Sequence, residues 1–174
     1  VALDNGLARL EKSAATPFAQ RYAALAPAVD AAFNLPHLLQ AVVGLKWAEF
    51  SPADQAALLR VFRAYTICAY VANFNTDAGD QFVVLPEARV IGPNTVVETE
   101  IVPKTGDHAR VDYVMRPGDS GGWQAIDVLV SGTISQTAVQ RSDFRAVLEA
   151  GGAPKLIESL TAKVHDQSGG TITP

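Results

Sequence analysis

Apolar residues recur at helical spacing through the first part of the chain, switch near residue 80 to the alternation of strands, and return to helical spacing after about residue 137. Helices first, strands second and helices last predict the α+β class. Thr16-Pro17 joins a capping hydroxyl to a first-turn proline and predicts a helix through Phe18, Tyr22 and Leu25 that Pro27 kinks or ends. A second, short helix is expected from Asn34, with Leu38, Leu39, Val42 and Val43 on one face and Gly44 as a left-handed stop. Ser51-Pro52-Ala53-Asp54 is the sharpest start, since its hydroxyl, proline and acid all suit the free amides of a first turn. The helix it opens carries Leu58, Phe62, Tyr65, Ala69 and Ala72 in one stripe, with Arg60 and Arg63 off it. Beyond Arg63 the apolar positions Ile67, Cys68, Tyr70, Val71 and Phe74 run almost all the way round. Such a helix is either buried throughout or packs the core with one face and borders a cavity with another.

A turn-rich break at 75–80 precedes four predicted strands: 81–85 with a less clear continuation to 91, then 95–102, 108–116 and 123–133. Their connections are short and rich in Gly, Pro, Asn and Asp, which fits a four-stranded antiparallel meander that curves under the helices. Alternation places Val97, Thr99 and Ile101 on one face, with Val111, Tyr113 and Met115, and then Ile126, Val128 and Val130. Glu98, Glu100, Arg110, Asp112, Arg116 and Asp127 fall on the opposite, wet face. A helix over 137–150 ends at Gly151-Gly152, and Pro154 starts another with Leu156, Ile157 and Leu160.

Length then limits the architecture: 174 residues make one domain, expected over 1–166, with a polar, glycine-rich flexible tail at 167–174. Of these residues 28 are alanine, so small side chains concentrate on the helices while larger aliphatics occupy the sheet, an arrangement able to leave room between the layers. The net charge of -4, without a basic excess, disfavours a nucleic-acid partner. No apolar run approaches the ~18 residues that span a bilayer. The start at Val1, lacking both an initiating Met and a signal-like segment, reads as a processed or trimmed chain. Cys68 stands alone, which excludes an internal disulfide and reads as an inert buried thiol.

Candidate chemistry is sparse. His37, His108 and His165 are far apart in sequence and lack neighbours at ligand spacing, so no metal is expected. Ser120-Gly121-Gly122 and Ser168-Gly169-Gly170 do not sit between a strand and a helix as a phosphate loop requires. Asp127 would be a candidate base only if it faced a pocket, and alternation turns it the other way.

The run Trp123-Gln124-Ala125-Ile126-Asp127-Val128, followed by Ser131-Gly132-Thr133-Ile134-Ser135 and Gln140-Arg141-Ser142-Asp143-Phe144, resembles the MlaC or toluene-tolerance family of periplasmic lipid-binding proteins. Phe33-Asn34, Val43-Gly44 with Trp47, and Leu156-Ile157 with Leu160 resemble the same family in the same order, over about 17–163. Asn34 replaces the family's usual Asp, Thr133-Ile134 interrupts its Gly-Val-Ser step, and the form around Arg141 is closer to the hopanoid-associated HpnM branch. The resemblance implies a monomeric carrier without cofactor or catalytic residue. Such a protein shields the apolar body of a phospholipid or hopanoid in a cavity between helices and curved sheet, and shuttles it through the periplasm between membrane-embedded lipid-transport complexes. The wall residues it implies are Phe33, Leu39, Val43 and Trp47 on one side and Phe62, Tyr65 and Ala69 on the long helix. On the sheet they are Val97, Ile101, Tyr113, Met115, Ile126, Val128, Val130 and Ile134. Plain core packing is the alternative for each, and Arg141 is expected to pair with Asp127 or another acid. Two other functions stay open: a pocket enzyme on a related cone-shaped α+β fold using an inward Asp112 or Asp127, and an interaction module with a filled core.

Overall fold

A computed structural model describes residues 2–11, 15–74, 80–118 and 121–174; the turns expected at 75–79 and at 119–120 lie outside them. Among the described residues the order is α1 (Ala2–Glu11), α2 (Phe18–Ala32), α3 (Leu35–Val43), a 3-10 segment (Gly44–Glu49) and α4 (Pro52–Asn73). The strands β1 (Gln81–Ile91), β2 (Asn94–Val102), β3 (Ala109–Pro117), β4 (Trp123–Val130) and β5 (Ile134–Ser135) follow, and α5 (Gln136–Ser168) closes the chain. The architecture is the expected α+β one, with α1 as an addition that the sequence reading passed over. Its signal was present: Leu3, Leu7 and Leu10 repeat at helical spacing and all three are buried.

Two helix starts follow their capping residues, whereas α2 begins at Phe18 with Pro17 rather than Thr16 at its N-cap and without a side-chain cap. Ser51 Oγ accepts the Asp54 amide at 3.1 Å, and Asn34 Oδ1 accepts the His37 amide at 3.1 Å. Pro27, expected to kink or end its helix, lies inside α2, which runs on to Ala32. Buried Val29 and Phe33 hold the following turn against the core, and that packing outweighs the missing amide. In α5, Gly151 and Gly152 break helical geometry and Pro154 restarts it, as the glycine pair suggested. The helix then continues past 166 to Ser168. Gly169 takes a left-handed φ of 58°, and the Ile172 amide bonds Ser168 Oγ at 3.2 Å, so the start of the expected tail is tied down.

The sheet is an antiparallel meander in sequence order, β1 through β5. It has five strands rather than four. Positive φ at Ser131 (54°) and Gly132 (71°) ends β4 at Val130 and folds the chain back, so Ile134-Ser135 pairs with Val130 and Leu129 as a short edge strand. A second departure lies within β4. Val114 pairs with Asp127 but Met115 pairs with Ala125, leaving Ile126 as the extra residue of a β-bulge.

The convex face of the sheet is tied by ions. Asp112, fully buried, takes Arg110 Nη2 at 3.0 Å and Arg89 Nη2 at 3.3 Å, and the same guanidinium groups reach Glu98 at 2.7 and 2.5 Å. Gly132 lets the β4–β5 turn approach this network, since a Cβ there would lie 2.9 Å from Arg110 Nε. The core itself is helical. Leu25, Val29, Leu39, Val42, Leu58, Phe62, Ile67, Leu156 and Leu160 are each at most 2% exposed, whereas the sheet contributes only Ala125 to this fully buried cluster.

Candidate functional site

That imbalance creates the site. The concave sheet face carries Val97, Tyr113, Met115 and Val128, large side chains that remain only half-buried because the helices do not close onto them. Between the layers lie two neighbouring apolar pockets, the two lobes of the site. The larger lobe, about 310 Å³, sits toward the β1–β2 and β3–β4 turns, and the other, about 250 Å³, toward the start of α5. Asp4, Thr99 and Tyr113 border both lobes and form the waist between them.

An aromatic row lines one wall. Phe33 meets Tyr70 at 5.7 Å and Tyr113 at 6.3 Å between ring centroids; Tyr70 stacks on Phe74 at 6.3 Å, and Phe74 meets Phe82 at 5.6 Å. Burial pushes the Tyr70 and Tyr113 hydroxyls well above the usual phenol range, so both stay neutral. The Thr99 hydroxyl is spent on the Val111 carbonyl. The wall therefore offers a long apolar surface with the hydroxyls of Thr99 and Tyr113 and the carboxyl group of Asp4 at its waist and polar side chains, Gln136, Thr137 and Gln140, at one mouth.

Most of the expected wall residues converge here. Phe33, Phe62, Tyr65, Ala69, Ile101, Tyr113, Val128 and Val130 line the smaller lobe, and Val97, Tyr113 and Met115 the larger. Five do not. Leu39 is fully buried among the helices, Val43 faces a surface cleft beside Arg141, and Trp47 packs edge-on against Phe50 at 6.4 Å. All three belong to α3 and the 3-10 segment after it; α3 packs mainly on α4 and α5 and brings Leu38, not Leu39 or Val43, to the smaller lobe. Ile126 is displaced by the bulge, and Ala125 takes its inward place. Ile134 is 51% exposed on the edge strand.

The residues that were missed belong largely to α1 and β1: Leu3, Leu7, Phe82 and Val84. Tyr70, Phe74 and Val111 were legible as apolar positions but not assigned to a wall.

Neither acid considered for proton transfer faces the cavity. Asp112 is held in the convex ion network. Asp127 accepts the Val128 amide at 2.8 Å, the Ser135 hydroxyl at 2.5 Å and the Thr137 amide at 3.1 Å, which fastens β4 to the start of α5. Ser135 caps that helix by accepting the Ala138 amide at 3.0 Å. The expected pairing of Arg141 with Asp127 is thus replaced by hydroxyl and amide donors, and Arg141 lies against Gly44 instead, where a Cβ would come within 3.0 Å of its Nη2. Cys68 is buried, and burial pushes its thiol up to about 11. Among the described residues no group of His, Cys, Asp or Glu is placed to hold a metal, and no helix is long and apolar enough to cross a membrane.

Comparison with known proteins agrees with this geometry. The family described as MlaC protein matches residues 2–162. No curated protein matches the sequence. Among solved structures, a phospholipid-binding protein from Ralstonia solanacearum, in complex with a phospholipid, superposes with a TM-score of 0.81 at 17% identity. The match covers 96% of this chain and 94% of that one, so the two share a fold.

Proposed function

The chain belongs to the MlaC protein family, and from that premise we propose that it is a lipid-binding carrier that holds the acyl chains of a phospholipid between its helices and its sheet. The observation that carries this reading is the half-buried apolar concave face over a two-lobed cavity, beside a helical core whose large aliphatic side chains are fully buried. Each methylene removed from water contributes ~0.8 kcal/mol, so about ten of them contribute ~8 kcal/mol before ordering costs are subtracted. The waist at Tyr113 and Thr99 favours flexible acyl chains over the rigid fused rings of a hopanoid, because chains bend round a constriction and fused rings do not. The structural neighbour was solved with a phospholipid bound, which supports the same choice. The carrier works as a monomer in the periplasm and moves lipid between membrane-embedded transport complexes, sheltering the chains during the aqueous crossing.

Native mass spectrometry of the purified protein, with organic extraction and identification of what is released, tests this. A lipid-sized mass increment containing a diacyl phospholipid is expected. Ligand-free protein that also fails to take phospholipid from vesicles or detergent micelles would overturn the reading, and a hopanoid in the extract would overturn the ligand assignment.

A further inference from the structure

The concave apolar face does not end where the helical cover ends. Cross-strand pairing puts Val90, Thr95, Met115 and Ala125 in one row across the sheet, with Trp123 paired to Pro117 one row beyond. Ala125 is 1% exposed in this row, whereas Val90 is 77% exposed, and Trp123 is 54% exposed beyond it. Ile91, at the tip of the β1–β2 hairpin, is 54% exposed. The cavity surface therefore continues out of the protein as an apolar lip. Trp123 belongs both to this lip and to the wall of the larger lobe, together with Val84, itself 41% exposed on edge strand β1.

We propose that this lip, the β1–β2 hairpin tip with Val90 and Ile91 and, at the same end of the sheet, Trp123 on β4, enters the interface of a phospholipid bilayer and delivers lipid directly into the larger lobe. The inference rests on the carrier reading above and adds to exchange with transport complexes a surface through which the cavity is filled where the carrier meets a bilayer directly. A diacyl lipid crossing free water loses the whole of its chain burial, so a carrier that touches the bilayer with a continuous apolar path avoids that barrier. Tryptophan suits the position, because its ring settles at the headgroup level with its N–H toward water. Arg116, exposed at the same end of β3 on its other face, pairs with no acid among the described residues and is free to meet the anionic phosphates of headgroups. Isolated exposed aliphatics are ordinary on any surface; here they are grouped at one end of the sheet and joined to a cavity.

The experiment compares uptake of a pyrene-labelled phospholipid from two sources, vesicles of phosphatidylethanolamine and phosphatidylglycerol, and detergent micelles. The double variant Val90→Asp with Ile91→Asp alters exposed positions outside the cavity wall. It should slow uptake from vesicles about tenfold or more, while equilibrium uptake from micelles stays within about twofold of wild type. In a Trp47→Phe background, where Trp123 is the only remaining tryptophan, its emission should shift to shorter wavelength when vesicles are added. Unchanged vesicle uptake in the double variant together with an unshifted Trp123 would overturn the proposal. So would a concentration-dependent dimer in sedimentation velocity that the double variant abolishes, since the lip would then pair two copies of the chain. If wild type takes lipid from neither source, the carrier reading falls and the lip proposal falls with it; uptake from micelles with an inert lip removes only the latter.

Discussion

Replacing Ala69 with Trp places an indole where α4 meets the smaller lobe. Ala69 is only half-buried although it lies mid-helix, because its side chain borders the cavity rather than a neighbouring helix. Five residues earlier, Ala64 is 3% exposed and packs with Cys68 and Val164. Equal chemical changes at these two alanines should therefore have opposite consequences. At Ala64 the added bulk has no space and should cost ~1–3 kcal/mol through overpacking. At ~2–4 °C per kcal/mol for a chain of this size, the melting temperature falls by ~2–12 °C. At Ala69 the indole enters a lobe of about 250 Å³, and the lipid-free melting temperature should stay within ~2 °C of wild type. Ligand linkage supplies the second readout. Lipid at 100 times its dissociation constant stabilises wild type by ~2.7 kcal/mol, a rise of ~5–11 °C, and Ala69→Trp should lose most of that rise. Differential scanning calorimetry of wild type, Ala64→Trp and Ala69→Trp, each with and without phospholipid, measures all of these. A lipid-free Ala69→Trp as unstable as Ala64→Trp would show that the lobe is core, and a full lipid-dependent rise in Ala69→Trp would show that lipid binds elsewhere.

Three further outcomes are expected. Asp127→Ala removes the acceptor for two amides and a hydroxyl at the β4–α5 junction and should cost ~2–3 kcal/mol in urea unfolding; a loss under ~0.5 kcal/mol would mean that solvent replaces these bonds at no cost. Cys68, buried and with its thiol pushed up to about 11, should resist thiol reagents at about pH 8 in the folded protein and react once unfolded; rapid native labelling would place it at an accessible surface. Alkaline stability follows from Tyr70 and Tyr113, whose folded-state ionisation is raised by burial while unfolded tyrosine ionises near ~10. Their contribution is intact below about pH 10 and is lost as pH rises toward the folded-state values, by ~1.4 kcal/mol per pH unit for each tyrosine. Tyr113→Phe should flatten that decline, and an unchanged slope would contradict the burial.

The two clearest failures of periodic reading share a cause. A period of two assumes an unbroken ladder, and the bulge at Ile126 adds one residue, so that Ala125 and Val128 both face inward and the apolar residue between them does not. Ser131 and Gly132 act similarly at the strand end, where positive φ turns Ile134 onto an exposed edge. Nothing in the local sequence separates these aliphatics from their inward neighbours. Asp127 shows the converse case. Its outward direction followed from alternation with Val128, but its partners lie eight and ten residues on, in an order of contacts that only the folded chain makes visible.

The sequence by itself determined the α+β order, most helix starts and the inward sides of β2 and β3, because caps, prolines and alternation act over a few residues. It also carried the family resemblance, and it offered no spacing for a metal cluster and no basic surroundings for an activated thiol. Tertiary structure decided which apolar residues meet one another and which meet empty space. Leu39 and Tyr113 are equally apolar elements of their local patterns, yet one is sealed among helices and the other stands over a cavity. That difference depends on how closely α3 and the sheet approach their neighbours, a distance set by the sum of many side-chain volumes rather than by any one of them.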